Sequence, residues 1–131
     1  MEFQFPWPMT QGEWLAWSSA AVTILFGLIM LFLPRLGLRI LRLQPVPSHP
    51  EAVSEARATM AGFYLGVGIS CIVMAQIWLY LALGLSWLFT AFGRMVSMGS
   101  DGANTPYNWI SVIIELALAT MALGYGLGLI V

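Results

Sequence analysis

Long apolar runs broken by short clusters of charge and proline divide the chain. Residues 14 to 33 (Trp14 to Leu33) carry no charge. A hydrocarbon core of about 30 Å needs about 20 helical residues, so this stretch predicts a first membrane span, closed by Pro34 and Arg35. A second apolar run of 36 residues extends from Ala58 to Gly93. At about 1.5 Å per residue it would make roughly 54 Å of helix, too long for one crossing. The economical reading is two helices joined by a tight turn near Leu81 to Ser86, with Gly84 supplying backbone freedom. Thr105 followed by Pro106 marks another helix start, Thr as cap and Pro at the first helical position. The last span then runs from about Asn108 to Val131. The pattern therefore predicts an all-α integral membrane four-helix bundle. It forms one domain over residues 1–131, with spans at about 14–34, 51–80, 82–98 and 106–131.

The basic residues test that count independently. All five are arginines: Arg35, Arg39, Arg42 and Arg57 between the first two spans, and Arg94 at the far end of the third. Four spans place all five on one side, whereas three would separate Arg94 from the others. The positive-inside rule puts that side in the cytoplasm and both termini outside, which implies a multi-pass protein of a bacterial inner membrane. Glu2 and Glu13, rather than a basic region, precede the first span, so a cleaved signal peptide is not expected.

The connecting segments have their own patterns. Phe3, Phe5, Trp7, Trp14 and Trp17 suit the headgroup level, as a lipid anchor or as a docking surface for a neighbouring subunit. In residues 35–44, Arg35, Arg39 and Arg42 recur at helical spacing beside Leu36, Ile40 and Leu43. This predicts a short basic amphipathic helix lying in the interface, its arginines against anionic headgroups. Ser48 and Glu51 have capping-box spacing for the second span. His49, the only histidine, reads as a solvated loop residue, with a metal or pigment ligand as the alternative. Gly99 to Asn104 is turn chemistry, reversing at Asp101-Gly102.

Composition narrows the class. Hydrophobic residues make up 60% of the chain and charged residues 8%, against about 25% charged in a soluble domain. Disorder, nucleic-acid binding and a soluble enzyme are excluded. The single Cys71, among Ile69, Ile72 and Val73, can form no internal disulfide and reads as an inert packing residue.

Charges at membrane depth carry the candidate chemistry. Glu115 lies nine residues inside the last helix, about 13 Å from its start. A carboxylate facing lipid would be expensive, so it should face the bundle interior and find a partner. Arg57 and Arg94 enter from the same side, and Glu55 is near enough to join. The cluster Glu55, Arg57, Arg94 and Glu115 reads either as a tie fixing helix register or as a polar site for a proton, a headgroup or a small substrate. Small residues form two stripes, Ala58, Gly62, Gly66 and Ser70 on the second helix and Thr120, Gly124 and Gly128 on the fourth. Such spacing lets membrane helices approach closely, inside the bundle or against a larger partner.

With these residues in view, the chain resembles an uncharacterised bacterial domain-of-unknown-function family of small four-helix membrane proteins, similar in layout to DoxX-like proteins. The resemblance rests on Glu55-Ala56-Arg57-Ala58, Gly62 and Leu65-Gly66, on Gly93-Arg94 with Ser97 and Asp101-Gly102, and on Glu115-Leu116. Met60-Ala61 stands where an aromatic-glycine pair is expected. The resemblance implies the four-helix architecture and no agreed activity.

No paired acid and base, no nucleophile with its base and no metal-ligand spacing is present in the sequence. The expectation is a non-catalytic accessory subunit of a larger, energy-transducing membrane complex, in contact with lipids and other integral membrane subunits. The alternative is a small transporter or enzyme for a lipid-soluble substrate, with Glu115, Arg57 and Arg94 lining its site. No cofactor is required by residue type; a lipid, quinone or pigment could be held by shape and apolar contact.

Overall fold

Thr10 starts the first helix. Its hydroxyl accepts the Glu13 N–H at 3.2 Å, and the Glu13 carboxylate reaches back to the Met9 N–H at 3.1 Å, which satisfies donors that a helix start leaves free. The computed structural model describes residues 3–131, so Glu2 lies outside the described residues. Among the described residues every regular element is helical. They are α1 (Gln11–Phe32), α2 (Pro34–Ile40), α3 (Glu51–Met74, with a π-helical turn over Ala56–Met60), α4 (Ile77–Ser100) and α5 (Pro106–Gly126). Of these, α1, α3, α4 and α5 are each long and apolar enough to cross a membrane, the architecture of a multi-pass membrane protein.

α1 is the central helix. It packs on α3 and on α5, and α5 packs in turn on α4, whereas α3 and α4 share far less contact despite being consecutive. The buried positions of α1 are mostly small: Gly12, Ala16, Ser19, Ala20, Thr23 and Gly27. Lipid competes equally for large apolar side chains, so small residues inside and large ones outside favour close helix approach. Gly27 illustrates the closeness, since a Cβ there would lie 2.7 Å from Leu65. On α3 the buried face runs through Ala56, Ala61, Gly68 and Cys71. Ala56 and Ala61 are five apart, the spacing that a π turn brings onto one face.

Several sequence expectations meet a different geometry. The third span begins earlier than the Leu81–Ser86 turn would place it. The chain reverses at Ala75 and Gln76, with Ala75 in left-handed backbone (φ 51) and its N–H returned to Cys71 O at 2.9 Å. Gly84 instead lies inside α4, where a Cβ would meet Leu123 at 2.5 Å. The capping box does not form: Ser48 is itself in a turn (φ 67) closed by His49 N–H to Val46 O, and Pro50 takes the cap position without a side-chain bond. The basic segment is helical only to Ile40, because Arg42 has a positive φ of 58 and leaves the face of Arg35 and Arg39. Gly37 and Leu38 are its buried residues; Gly37 lies where a Cβ would strike the Met30 sulfur at 2.6 Å, which lets α2 fold back on the end of α1.

The small-residue stripes also differ from internal packing. Ala58, Gly62 and Gly66 are exposed, and no atom lies within 4 Å of a Cβ built on Gly62 or Gly66. The π turn and the Ala61–Gly68–Cys71 face leave this stripe pointing out of the bundle. On α5, Thr120 is exposed and Gly128 lies beyond the helix end. Gly128 adopts φ 75, so that the N–H groups of Leu129 and Ile130 return to Gly124 O, and Ile130 then covers Gly124 and Gly12.

Candidate functional site

The antiparallel pair α4 and α5 is joined by a short loop whose reversal uses Gly102 at φ 68. Thr105 caps α5 by accepting the Asn108 N–H at 3.3 Å, with Pro106 opening the helix. Arg94 sits six residues before the end of α4 and Glu115 nine residues after the start of α5. At about 1.5 Å per residue these are depths of roughly 9 and 13 Å from the same end, within reach of one arginine side chain.

The two side chains meet in a closed, bidentate pair. Arg94 Nε donates to Glu115 Oε1 at 3.0 Å and to Oε2 at 3.2 Å, and Nη2 donates to Oε2 at 2.7 Å. Nη1 donates to Asn108 Oδ1 at 2.9 Å, and Asn108 Nδ2 in turn donates to Ala103 O at 2.8 Å. Asn108 and Glu115 are seven apart, on one face of α5, so they hold the guanidinium from two sides. The exposures are unequal: the Glu115 side chain is 7% exposed and that of Arg94 23%. The carboxylate is sealed and the guanidinium keeps an open side. Charge-assisted, two-point bonds of this kind fix geometry as well as charge.

A second polar chain crosses the core above this pair. Ser19 Oγ donates to Leu118 O at 2.8 Å, Thr23 Oγ1 donates to Ser19 O at 2.8 Å, and Trp87 Nε1 donates to Thr23 Oγ1 at 2.9 Å. These bonds link α1, α4 and α5. The Trp87 ring is stacked on Tyr64 of α3 (centroids 5.9 Å apart, 10° between planes) and meets Phe26 edge-on at 5.9 Å.

The other sequence candidates lie apart from the pair. Arg57 donates from Nη1 to Leu31 O at 3.2 Å, at the C-terminal end of α1, and Glu55 is exposed on α3 with no ion-pair partner among the described residues. Arg35 and Arg39 are exposed. Arg42 stacks over the Tyr107 ring at 4.7 Å, and the Tyr107 hydroxyl donates to Ile40 O, latching the end of α2 to the start of α5. His49 is exposed, 3.9 Å from Glu51, and Cys71 is fully buried. No group of residues able to hold a metal ion occurs among the described residues. Ala58, Gly62, Gly66 and Ser70 line an open groove of about 610 Å³ walled on the other side by Leu79 and Ala82 of α4. A smaller groove of about 450 Å³ lies against Leu15, Leu116 and Thr120. Glu115 lines neither of them.

Tyr64, Asn108, Thr23 and Trp87 are the site residues that sequence reasoning missed. Asn108 had a readable signal, an amide seven residues before an intramembrane acid on the same helix. Tyr64 and Thr23 had none, because their roles depend on helix order.

A sealed carboxylate on α5, bound by a guanidinium from α4, and a core in which Ser19 and Thr23 are the other buried polar residues define a class: a small multi-pass helical bundle tied by an intramembrane ion pair. Within that class, the chain belongs to the family described as a domain of unknown function, DUF4345, whose sequence profile matches residues 12–125. The match spans the stretch from the first turn of α1 to the end of α5. Neither a curated protein nor a solved structure matches the chain.

Proposed function

We propose that the protein is a non-catalytic integral membrane accessory subunit. It attaches to a larger, energy-transducing complex (respiratory or photosynthetic) of the bacterial inner membrane and acts in its assembly or stabilisation. The observation that supports this most directly is the outward stripe on α3. Ala58, Gly62, Gly66 and Ser70 form a groove wall where Gly62 and Gly66 have no neighbour. Inside membranes, small-residue faces are surfaces on which another helix packs closely.

The Arg94–Glu115 pair supports the same reading. Both carboxylate oxygens are engaged and the group is sealed, which suits a tie between α4 and α5 better than a reactive acid or base. Arginines concentrated at one end support, through the positive-inside rule, a reading in which that end is cytoplasmic and both termini are periplasmic. Arg35 and Arg39 then face anionic headgroups. A small-molecule reading, a DoxX-like transporter or enzyme for a lipid-soluble substrate, draws its support from the open side of Arg94 alone.

The test is isolation of the tagged protein from native membranes in mild detergent, with mass spectrometry and an absorbance spectrum of the eluate. Recovery at fixed stoichiometry with a haem- or pigment-bearing complex is the expected result. Recovery of the chain alone, or with lipid only, would remove the accessory-subunit assignment.

A further inference from the structure

Residues 3–9, ahead of the Thr10 cap of α1, form an irregular strap with two unlike sides. Phe3, Phe5, Trp7 and Met9, at alternate positions, are all exposed, Met9 most of all at 83%, whereas Pro8 is buried and Pro6 half-buried. The prolines thus turn toward the bundle and the large apolar side chains away from it. The Phe5 and Trp7 rings lean on each other, with centroids 4.6 Å apart. No charged residue occurs from Phe3 to Gly12, and all five arginines lie toward the other end of the bundle.

Two opposite demands fix the depth at which such a strap can lie. Its backbone N–H groups make only two hydrogen bonds among the described residues, Trp7 to Phe5 O at 3.0 Å and Met9 to the Glu13 carboxylate at 3.1 Å. The unpaired polar groups of an irregular, uncovered segment cannot enter hydrocarbon, where nothing would pair them. Unlike those of Trp87 and Trp109, the Trp7 indole N–H has no acceptor among the described residues. The exposed rings and Met9 pull the other way, because leaving water favours each of them. The headgroup level, just outside the hydrocarbon, meets both demands. Further outward rings occur at this end: Trp14 in the first turn of α1 and Trp78 at the second position of α4 are exposed. α1 and α4 share little contact, so these rings stand on different sides of the bundle. Aromatics spread around the bundle suit a lipid plane, whereas a protein partner would need them gathered in one patch.

We propose that residues 3–9 lie flat in the headgroup layer of the bilayer, as an aromatic foot whose Phe3, Phe5, Trp7 and Met9 side chains dip toward the acyl chains. What the foot binds is the lipid surface itself, by apolar contact and without charge. The Glu13 carboxylate on the Met9 N–H and the Thr10 hydroxyl on the Glu13 N–H tie the foot to α1. The foot therefore sets the depth of the helix on which α3 and α5 pack. It is separate from the outward stripe of α3 and requires no partner protein.

The experiment places one spin label on the full chain in phosphatidylcholine vesicles, at Phe3→Cys, Met9→Cys, His49→Cys or Phe89→Cys. Power-saturation electron paramagnetic resonance reads its access to oxygen and to a water-soluble nickel chelate present on both sides of the membrane. Cys71 is fully buried and stays unlabelled. His49, in an exposed loop, is the water reference. Phe89, exposed and about 18 Å along α4, is the hydrocarbon reference. The labels at 3 and 9 should report one common depth between the two references, within about 5–10 Å of the headgroups. Phe5→Ser with Trp7→Ser removes two rings and should raise nickel access at position 3 to the level of position 49. Positions 49 and 89 should keep their values in that variant, because no helix is altered. The proposal is overturned if positions 3 and 9 are as open to nickel as position 49, or as deep as position 89. Exclusion of both reagents would also overturn it, by showing that protein covers the strap. So would a Phe5/Trp7 change that leaves position 3 where it was.

Discussion

Removing the two ends of the Arg94–Glu115 tie should not be equally costly. Taking away one partner of a buried ion pair leaves a charge without compensation, at a cost of about 3–5 kcal/mol. Arg94→Met leaves the Glu115 carboxylate in a pocket where it is 7% exposed, so the loss should fall in the full range of about 3–5 kcal/mol. Glu115→Leu leaves Arg94, which is 23% exposed and reaches toward the loop end of the helices through Asn108. A long side chain with an open side can swing its charge to water, so the loss should be smaller, about 2–3 kcal/mol. The double change replaces the pair by apolar side chains of similar volume and should lie within about 1 kcal/mol of the unaltered chain. The coupling between the two sites is then about 4 kcal/mol or more. Reversible unfolding in mixed micelles, with all four proteins measured under one condition, gives these differences. Additive single losses in the double variant would refute the tie. A larger cost for Glu115→Leu than for Arg94→Met would refute the assignment of which side is sealed.

Other substitutions probe different parts of the bundle. Gly84→Ala places a Cβ 2.5 Å from Leu123 and should cost about 1–3 kcal/mol by overpacking, whereas Gly62→Ala meets nothing within 4 Å and should change stability by less than about 0.5 kcal/mol; the same unfolding assay compares them. Thr23→Val removes the acceptor of the buried Trp87 indole N–H and should cost about 1–3 kcal/mol, with a changed Trp87 emission as a second readout. Ala75→Gly relieves a left-handed backbone (φ 51) and should raise stability by about 1 kcal/mol. Cys71 is fully buried, so a maleimide should label it only after unfolding, on the timescale of global opening.

The parts of this fold that can be read in the sequence are those with local punctuation. Pro34 after an uncharged run and the Thr105-Pro106 pair mark ends of α1 and α5, because caps and missing N–H groups act within one turn. The division between α3 and α4 has no such mark. Hydropathy is continuous across it, Ala75 takes a backbone region usually reserved for glycine, and the one local clue is Gln76, the only amide between Ala58 and Gly93. The need of Glu115 for an arginine follows from membrane energetics. The choice of Arg94 over Arg57 does not, since both enter at similar depth. It follows from α4 and α5 being packed neighbours and from Arg57 turning toward the end of α1. Stripes of small residues were visible on α3, but a stripe does not state which side of its helix is covered. The inward small-residue face of α1 and the π turn in α3 decide that.

The central claim, that the stripe on α3 receives a helix of a partner subunit, is tested most directly at Gly66. A photoreactive diazirine side chain in place of Gly66, activated in native membranes, should give one adduct of discrete mass with one integral membrane protein. The same group placed at Ile113, exposed on α5, should give none. Adducts with lipid alone at position 66, or the same scatter of proteins from both positions, would contradict it.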